Sequence, residues 1–189
     1  MTTVDCDPKF GCTITADIST MVPRDLGYPG RFDFILASPP CECFSIANVG
    51  THWEVGPAAY RPKTEAAERA VGLLDHTLFL IRALMPSYWV VENPRGMMRK
   101  MPCLKPYPRV TITYCQYGEN RMKPTDLFGS FPGYGWYRKP CRNGGPCHDR
   151  APRGAKTGTQ GIKGYSNRSL IPHDLSLAMC VAAENALKQ

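Results

Sequence analysis

Two side chains stand where covalent chemistry is easiest to build. Cys41 follows the double proline Pro39-Pro40 at the end of the apolar run Phe34-Ile35-Leu36-Ala37, and Glu92 follows a second apolar run, Tyr88 to Val91. A thiolate is a nucleophile and a carboxyl group can hold or donate a proton, so together they form a nucleophile with an acid. Most cysteines are simply small hydrophobes. Here the rigid prolines fix the exit of the chain and leave the thiol little freedom, which favours a functional reading. The triplet "ENP", Glu92 to Pro94, is weak by itself, because three common residues recur by chance.

These residues need a scaffold, and the pattern around them supplies one. Phe32 to Ala37 is apolar apart from Asp33, the pattern of a strand buried on both faces of a parallel sheet. Thr64 to Leu84 carries a helical stripe at Ala67, Val71, Leu74, Leu78 and Ile81, and Pro86 stops it. Tyr88 to Val91 reads as the next buried strand. Val110, Ile112 and Tyr114 alternate with threonines in a third strand, and Leu175 to Leu187 reads as a closing helix. Strand, helix, strand, strand predicts an open α/β sheet, whose ligands bind at the carboxyl ends of its strands, where Cys41 and Glu92 are expected.

The chain has 189 residues, enough for one domain with a real core. Lys and Arg number 23 against 16 Asp and Glu, a net charge of +7, which favours a polyanionic partner, with nucleic acid first. Nine cysteines at irregular spacing, with nothing resembling a secretory signal, read as reduced, intracellular thiols. The longest apolar run, Leu177 to Ala183, is too short to span a bilayer, so a soluble protein is expected.

Several segments, in order, carry a resemblance. "SPPCECFS" (Ser38 to Ser45) resembles the nucleophile segment of DNA cytosine-5 methyltransferases, and "VVENPRG" (Val90 to Gly96) their glutamate segment. "VDCDP" resembles the acidic turn that holds the cofactor ribose, "ADI" the turn near the adenine, and "YCQYGENRMKPTDLFG" the tyrosine-glycine and arginine segment; "IPHDLSLAMCVAAE" is a looser match to the last helix. The resemblance covers roughly two thirds of the chain and is similar to the compact versions carried by bacteriophages. It implies a Rossmann-like methyltransferase sheet over residues 1–128, truncated at its N-terminal side, a small basic target-recognition region over 129–168, and a helix over 169–189 returning to the catalytic part. A bacterial host cytoplasm is the implied location.

The chemistry implied is thiolate addition. Carbon 5 of cytosine is a poor nucleophile until Cys41 adds to carbon 6 and makes an enamine. Glu92 would hydrogen-bond or protonate N3, and Arg121 would steady the base near O2, with Lys123 as the reserve for that role. The target base must be flipped out of double-stranded DNA, and 43–60 is placed to be the mobile loop that closes behind it. For S-adenosylmethionine the resemblance implies Asp5, Asp17, Ile18 and Pro39; for DNA it implies Ser45. No glycine-rich turn for the methionine part precedes Asp5. A gap is therefore expected between the strands before Asp5 and before Pro39, unless the sheet closes up directly, another chain or a second copy fills it, or the sequence is a truncated product. Methylene-tetrahydrofolate, giving hydroxymethylation, is the alternative donor; one half of a split enzyme and an inactive DNA-binding module are the other readings. Amino-methyltransferases also follow a strand with a double proline, but they need an aromatic ring where this chain has Cys41, and Phe44 comes three residues late.

The last third holds two further clusters. No acidic residue occurs between Asp149 and Asp174, while Arg150, Arg153, Lys156, Lys163 and Arg168 lie among glycines; of these Arg153, Lys156, Lys163 and Arg168 are the candidate DNA contacts. Tyr134, Trp136 and Tyr137 are expected to pack the small region rather than wedge into a base stack. "CRNGGPCH" offers Cys141, Cys147 and His148 as zinc ligands, although five residues separate its cysteines, with Cys103 or Cys115 as the candidate fourth.

Overall fold

The computed structural model describes residues 1–56, 60–133 and 135–189, with the side chains of 165 and 166 left aside. Tyr134 and part of 43–60 therefore lie outside the described residues. Two short parallel strands come first, β1 (Val4–Asp5) and β2 (Ile14–Thr15). A short helix, α1 (Pro23–Leu26), leads to β3 (Phe34–Ala37). Next come α2 (Val49–His52) and an antiparallel hairpin, β4 (Trp53–Val55) with β5 (Tyr60–Pro62). The long helix α3 (Glu65–Leu84) is capped by the Thr64 hydroxyl, which accepts from the Ala67 amide at 3.3 Å. It returns the chain to β6 (Tyr88–Pro94), followed by β7 (Arg109–Thr113), β8 (Pro124–Ser130), α4 (Tyr165–Ser169) and α5 (His173–Leu187).

The main sheet runs β3-β6-β8-β7. β3 and β6 are parallel, with Ala37 opposite Val91, while β8 is antiparallel to both its neighbours. β6 is buried on both faces: Trp89 and Val91 face Leu74, Leu78 and Ile81 of α3, and Val90 faces Leu175 and Met179 of α5. The sheet is thus the middle layer between two helices. No described helix is long and apolar enough to cross a membrane.

Several expectations are corrected here. β3 is not buried on both faces: all four of its residues are half-buried, because it is an edge strand paired with β6 alone. β1 and β2 do not join the main sheet, so the sheet does not close up directly. They pair with each other, and Val4, Ile14 and Ile18 pack on Leu80 and Leu84 at the far end of α3. The strand expected through Tyr114 ends at Thr113, and Tyr114 opens a 3-10 turn. β8 is an element that its sequence, "PTDLFGS", disguised with Pro124 and Gly129; it extends into the span 129–168 as far as Ser130. Segment 43–60 is not one long loop, since Phe44 and Trp53 are buried in the α3-side core.

Candidate active site

Glu92 lies within its strand rather than beyond it. β3 leaves β6 after Val91, but β8 keeps pairing on the other side, with Glu92 opposite Leu127 and Asn93 opposite Asp126. The carboxylate is therefore held by a regular ladder at the point where the neighbouring parallel strand has stopped. The Asn93 side-chain amide donates to the Pro39 carbonyl at 3.0 Å, fastening the double proline to the "ENP" triplet. Beyond Pro40 the chain turns at once: the Phe44 amide donates to the Cys41 carbonyl at 3.0 Å, and Phe44 inserts into the core. The Phe44 carbonyl accepts from the Met97 amide at 2.7 Å, and Trp53 Nε1 donates to the Cys43 carbonyl at 2.6 Å. Gly96 makes this joint, because a Cβ there would collide with the Phe44 carbonyl. Cys41 is thus fixed on both sides and remains half-buried.

Charge is arranged around these two groups by Tyr114 and Lys123. Glu92 is 4% exposed, and its Oε1 accepts from the Tyr114 hydroxyl at 2.6 Å. Burial pushes the Glu92 carboxyl up, against the Tyr114 hydrogen bond and the Lys123 charge, which favour the carboxylate. Burial also pushes the Cys41 thiol up; the Lys123 charge pulls it down and the Glu92 charge pushes it up. Lys123 is 8% exposed, and burial pulls its ammonium down while Glu92 and Cys41 hold it up. Its Nζ donates to the Arg168 carbonyl at 2.9 Å and sits 4.3 Å from the centroid of the Tyr114 ring. Its backbone is left-handed, with φ 30, a strain of about 1–3 kcal/mol for a residue with a side chain. The carbonyl of this strained residue accepts from Thr125 Oγ1 at 3.1 Å.

Arg121, two residues earlier, points elsewhere. Its guanidinium donates to the Arg150 carbonyl at 2.6 Å and lies 3.8 Å from the Asp149 carboxylate, while its Nε is buried with no partner among the described residues. Arg121 and Lys123 thereby hold the two ends of the basic segment, at Arg150 and Arg168. A cleft of about 300 Å³ lies between this segment and the site, lined by Tyr114, Arg121, Lys123, Thr159, Asn167 and Arg168. Arg153, Lys156, Lys163 and Arg168 are all exposed. Trp136 and Tyr137 pack on the α5-side core. The pattern of the sequence carried no sign of Tyr114 as a partner of Glu92, since their meeting depends on the β6-β8-β7 pairing.

The remaining candidates are spread over other elements. Asp5 is the last residue of β1 and Asp17 lies just beyond β2, both at the carboxyl ends of these parallel strands. Asp5 Oδ1 accepts from the Asp7 amide at 2.8 Å, and Asp17 Oδ1 accepts from Ser19 Oγ at 2.7 Å. Ile18, Pro39 and Ser45 are half-buried. Cys141, Cys147 and His148 converge, and Cys115 joins them, with one donor atom from each within 4.8 Å of the others. Cys103 is not in this group; it packs near α3 and Asp75, where burial pushes its thiol up to about 12.

No family model matches the chain. Over 108 residues it is 29% identical to a protein of Frog virus 3 (isolate Goorha) named a probable DNA (cytosine-5)-methyltransferase. The match covers 56% of this chain and 50% of that protein, so the chain spans about half the length of the relative. That likeness and the motif segments carrying Cys41 and Glu92 point the same way, to a similarity with the DNA cytosine-5 methyltransferases.

Proposed function

We propose that this chain modifies carbon 5 of cytosine in DNA, with Cys41 as the nucleophile and S-adenosylmethionine as the methyl donor. The observation that carries the reading is the grouping of Cys41, Glu92, Tyr114 and Lys123, in which a buried carboxyl hydrogen-bonded to a tyrosine and a buried ammonium both act on one thiol. Cys41 adds to carbon 6 of a flipped cytosine as Glu92 gives its proton to N3, so charge does not accumulate on the ring. Tyr114 holds Glu92 in place. Lys123, the reserve named from the sequence for the role given to Arg121, supplies positive charge beside the thiolate and the base; Arg121 instead positions the recognition segment through Arg150. Once carbon 5 has accepted its new group, its hydrogen leaves as a proton to water or a base, and elimination expels Cys41 with its electron pair.

Asp5 and Asp17, partly or fully exposed at the carboxyl ends of two parallel strands, fit the ribose and adenine of the donor. When bound, S-adenosylmethionine supplies an electrophilic methyl group on sulfur. The amino-methyltransferase reading loses support because Phe44, the nearest ring after the prolines, is 1% exposed and unable to stack on a base.

The test separates the thiol chemistry from the donor. Addition of Cys41 to carbon 6 activates carbon 5 to exchange its hydrogen with water whether or not a donor is bound. DNA tritiated at carbon 5 of cytosine should therefore release tritium with the wild-type protein and not with Cys41→Ser, while DNA binding persists in both. Mass analysis of the nucleosides should then show 5-methylcytosine with S-adenosylmethionine. Equal tritium release by Cys41→Ser overturns the nucleophile; 5-hydroxymethylcytosine formed with methylene-tetrahydrofolate overturns the donor alone.

A further inference from the structure

The cluster just beyond the end of β7 has the composition and spacing of a closed metal site. Sγ of Cys147 lies 3.8 Å from Sγ of Cys115 and 3.5 Å from Nδ1 of His148, and Sγ of Cys141 lies 3.6 Å from the same Nδ1. With Zn–S near 2.3 Å and Zn–N near 2.0–2.1 Å, a tetrahedral zinc ion sets neighbouring sulfurs roughly 3.8 Å apart and sulfur and nitrogen roughly 3.5 Å apart. The Cys115–Cys141 separation, 3.1 Å, is shorter than such an edge and much longer than the roughly 2.05 Å of a disulfide. We infer that Cys115, Cys141, Cys147 and His148 bind one zinc ion that fastens the recognition segment to the end of β7.

Local structure explains why residues so spaced can meet. The five residues between Cys141 and Cys147 fold back in a turn, with the Gly145 amide donating to the Arg142 carbonyl at 2.9 Å and Gly144 at φ 75, a conformation that favours glycine. The Cys141 amide donates to Thr113 Oγ1 at 3.0 Å, which fixes this turn to the last residue of β7. Gln116 Nε2 approaches Cys147 Sγ at 3.5 Å, a donor placed to support a thiolate ligand. Nδ1 of His148 faces the sulfurs, and a metal bound there would leave the ring proton on Nε2, which is buried with no partner among the described residues. Three thiolates and an imidazole are a soft donor set that selects zinc, and four protein ligands leave no open position, so the ion is structural rather than catalytic.

Its position gives it work in the fold. Cys115 directly follows Tyr114, the hydrogen-bond partner of Glu92, and His148 directly precedes Asp149, whose amide donates to the Asn120 carbonyl at 2.9 Å. The ion therefore ties the stretch from Tyr114 to Arg121 to the stretch from Cys141 to Arg150. Without it, the recognition segment is held beside the cleft by hydrogen bonds such as Arg121 to Arg150 and Lys123 to Arg168 and by the packing of Trp136 and Tyr137.

Metal content decides the matter without reference to activity. Protein produced in zinc-supplemented medium and purified without chelator should contain about one zinc per chain by elemental analysis, as a single closed site requires. Cobalt exchanged into the site should show the visible bands of a tetrahedral ion together with thiolate charge transfer. Cys147→Ser and His148→Ala should lower the zinc content several-fold, whereas Cys180→Ser, an exposed thiol outside the cluster, should leave it unchanged. Wild-type protein with a metal ratio near zero, a cobalt spectrum without thiolate bands, or a chain two hydrogens lighter under non-reducing conditions because two of the thiols are joined would each overturn the inference.

Discussion

Cys41 and Glu92 were readable because each interrupts an apolar run, and a polar group at the end of a buried strand is conspicuous. Tyr114 was not, because a tyrosine in "YCQYGENRMK" looks like any turn until β8 folds back beside β6, and Lys123 was legible only as the reserve for the role given to Arg121. Together they predict a particular pH response. In the proposed function the productive form has Cys41 ionised and Glu92 protonated, and it carries the same number of protons as the thiol with the carboxylate. Its population is level between the two titrations and falls on either side, so kcat/KM should follow a bell whose limits belong to the coupled pair. Burial raises both limits above the ordinary glutamate and cysteine values, and the Lys123 charge lowers both. Lys123→Gln removes that charge, so the whole bell should move to higher pH as the maximum rate falls. Methyl transfer measured across pH checks this; limbs that stay where they were would remove Lys123 from the site.

At the scale of elements, periodicity revealed β3, α3, β6 and α5, and what it missed has physical causes. The Pro124 ring begins β8 where no ladder donor is required, and Gly129 lies where β8 comes too close to the Trp89 carbonyl for any side chain, so a regular strand carries the residues of a loop. Likewise the segment after Cys41 looked like an open loop because the residues that bury it, Phe44 and Trp53, are separated by mostly polar and small ones with no strand or helix periodicity. Its attachment at Gly96 gives a sharp test. Gly96→Ala drives a methyl group into the Phe44 carbonyl, which must shift along with the turn from Cys41, at a cost of about 1–3 kcal/mol. Activity should fall further than stability explains, since the thiol moves with the turn. Gly72→Ala, in the middle of α3 with open space around it, should instead stabilise by about 0.5–1 kcal/mol. Thermal unfolding and methyl transfer on both variants make the comparison. If Gly96→Ala behaves like Gly72→Ala, the turn does not depend on this contact.

Over the whole molecule, the excess of basic residues was visible in the composition, but not how it is held. The exposed cations Arg153, Lys156 and Lys163 belong to a stretch with little regular structure, and its two ends are gripped from the active-site side by Arg121 and Lys123. A flexible basic chain would bring charge to DNA without fixing where it lands. One attached at both ends beside the 300 Å³ cleft would, on the proposed function, hold its charge in place next to that cleft. On the proposed function this makes affinity for DNA strongly electrostatic, since each phosphate neutralised on a duplex contributes about −0.9 to the slope of log affinity against log salt. Replacing Arg153, Lys156 and Lys163 together by Ala should therefore flatten that slope by about two to three units, and weaken binding nearly equally for all sequences, because phosphates carry no sequence information. Arg121→Ala removes no exposed charge from the segment but releases its Arg150 end. It should lower the rate of modification at saturating DNA far more than it changes the salt slope. Binding titrations at several salt concentrations, paired with single-turnover rates, distinguish the two outcomes. An Arg121→Ala protein that lost salt dependence as the triple variant does, and kept its rate, would place Arg121 on the DNA backbone and remove it from the grip on this segment.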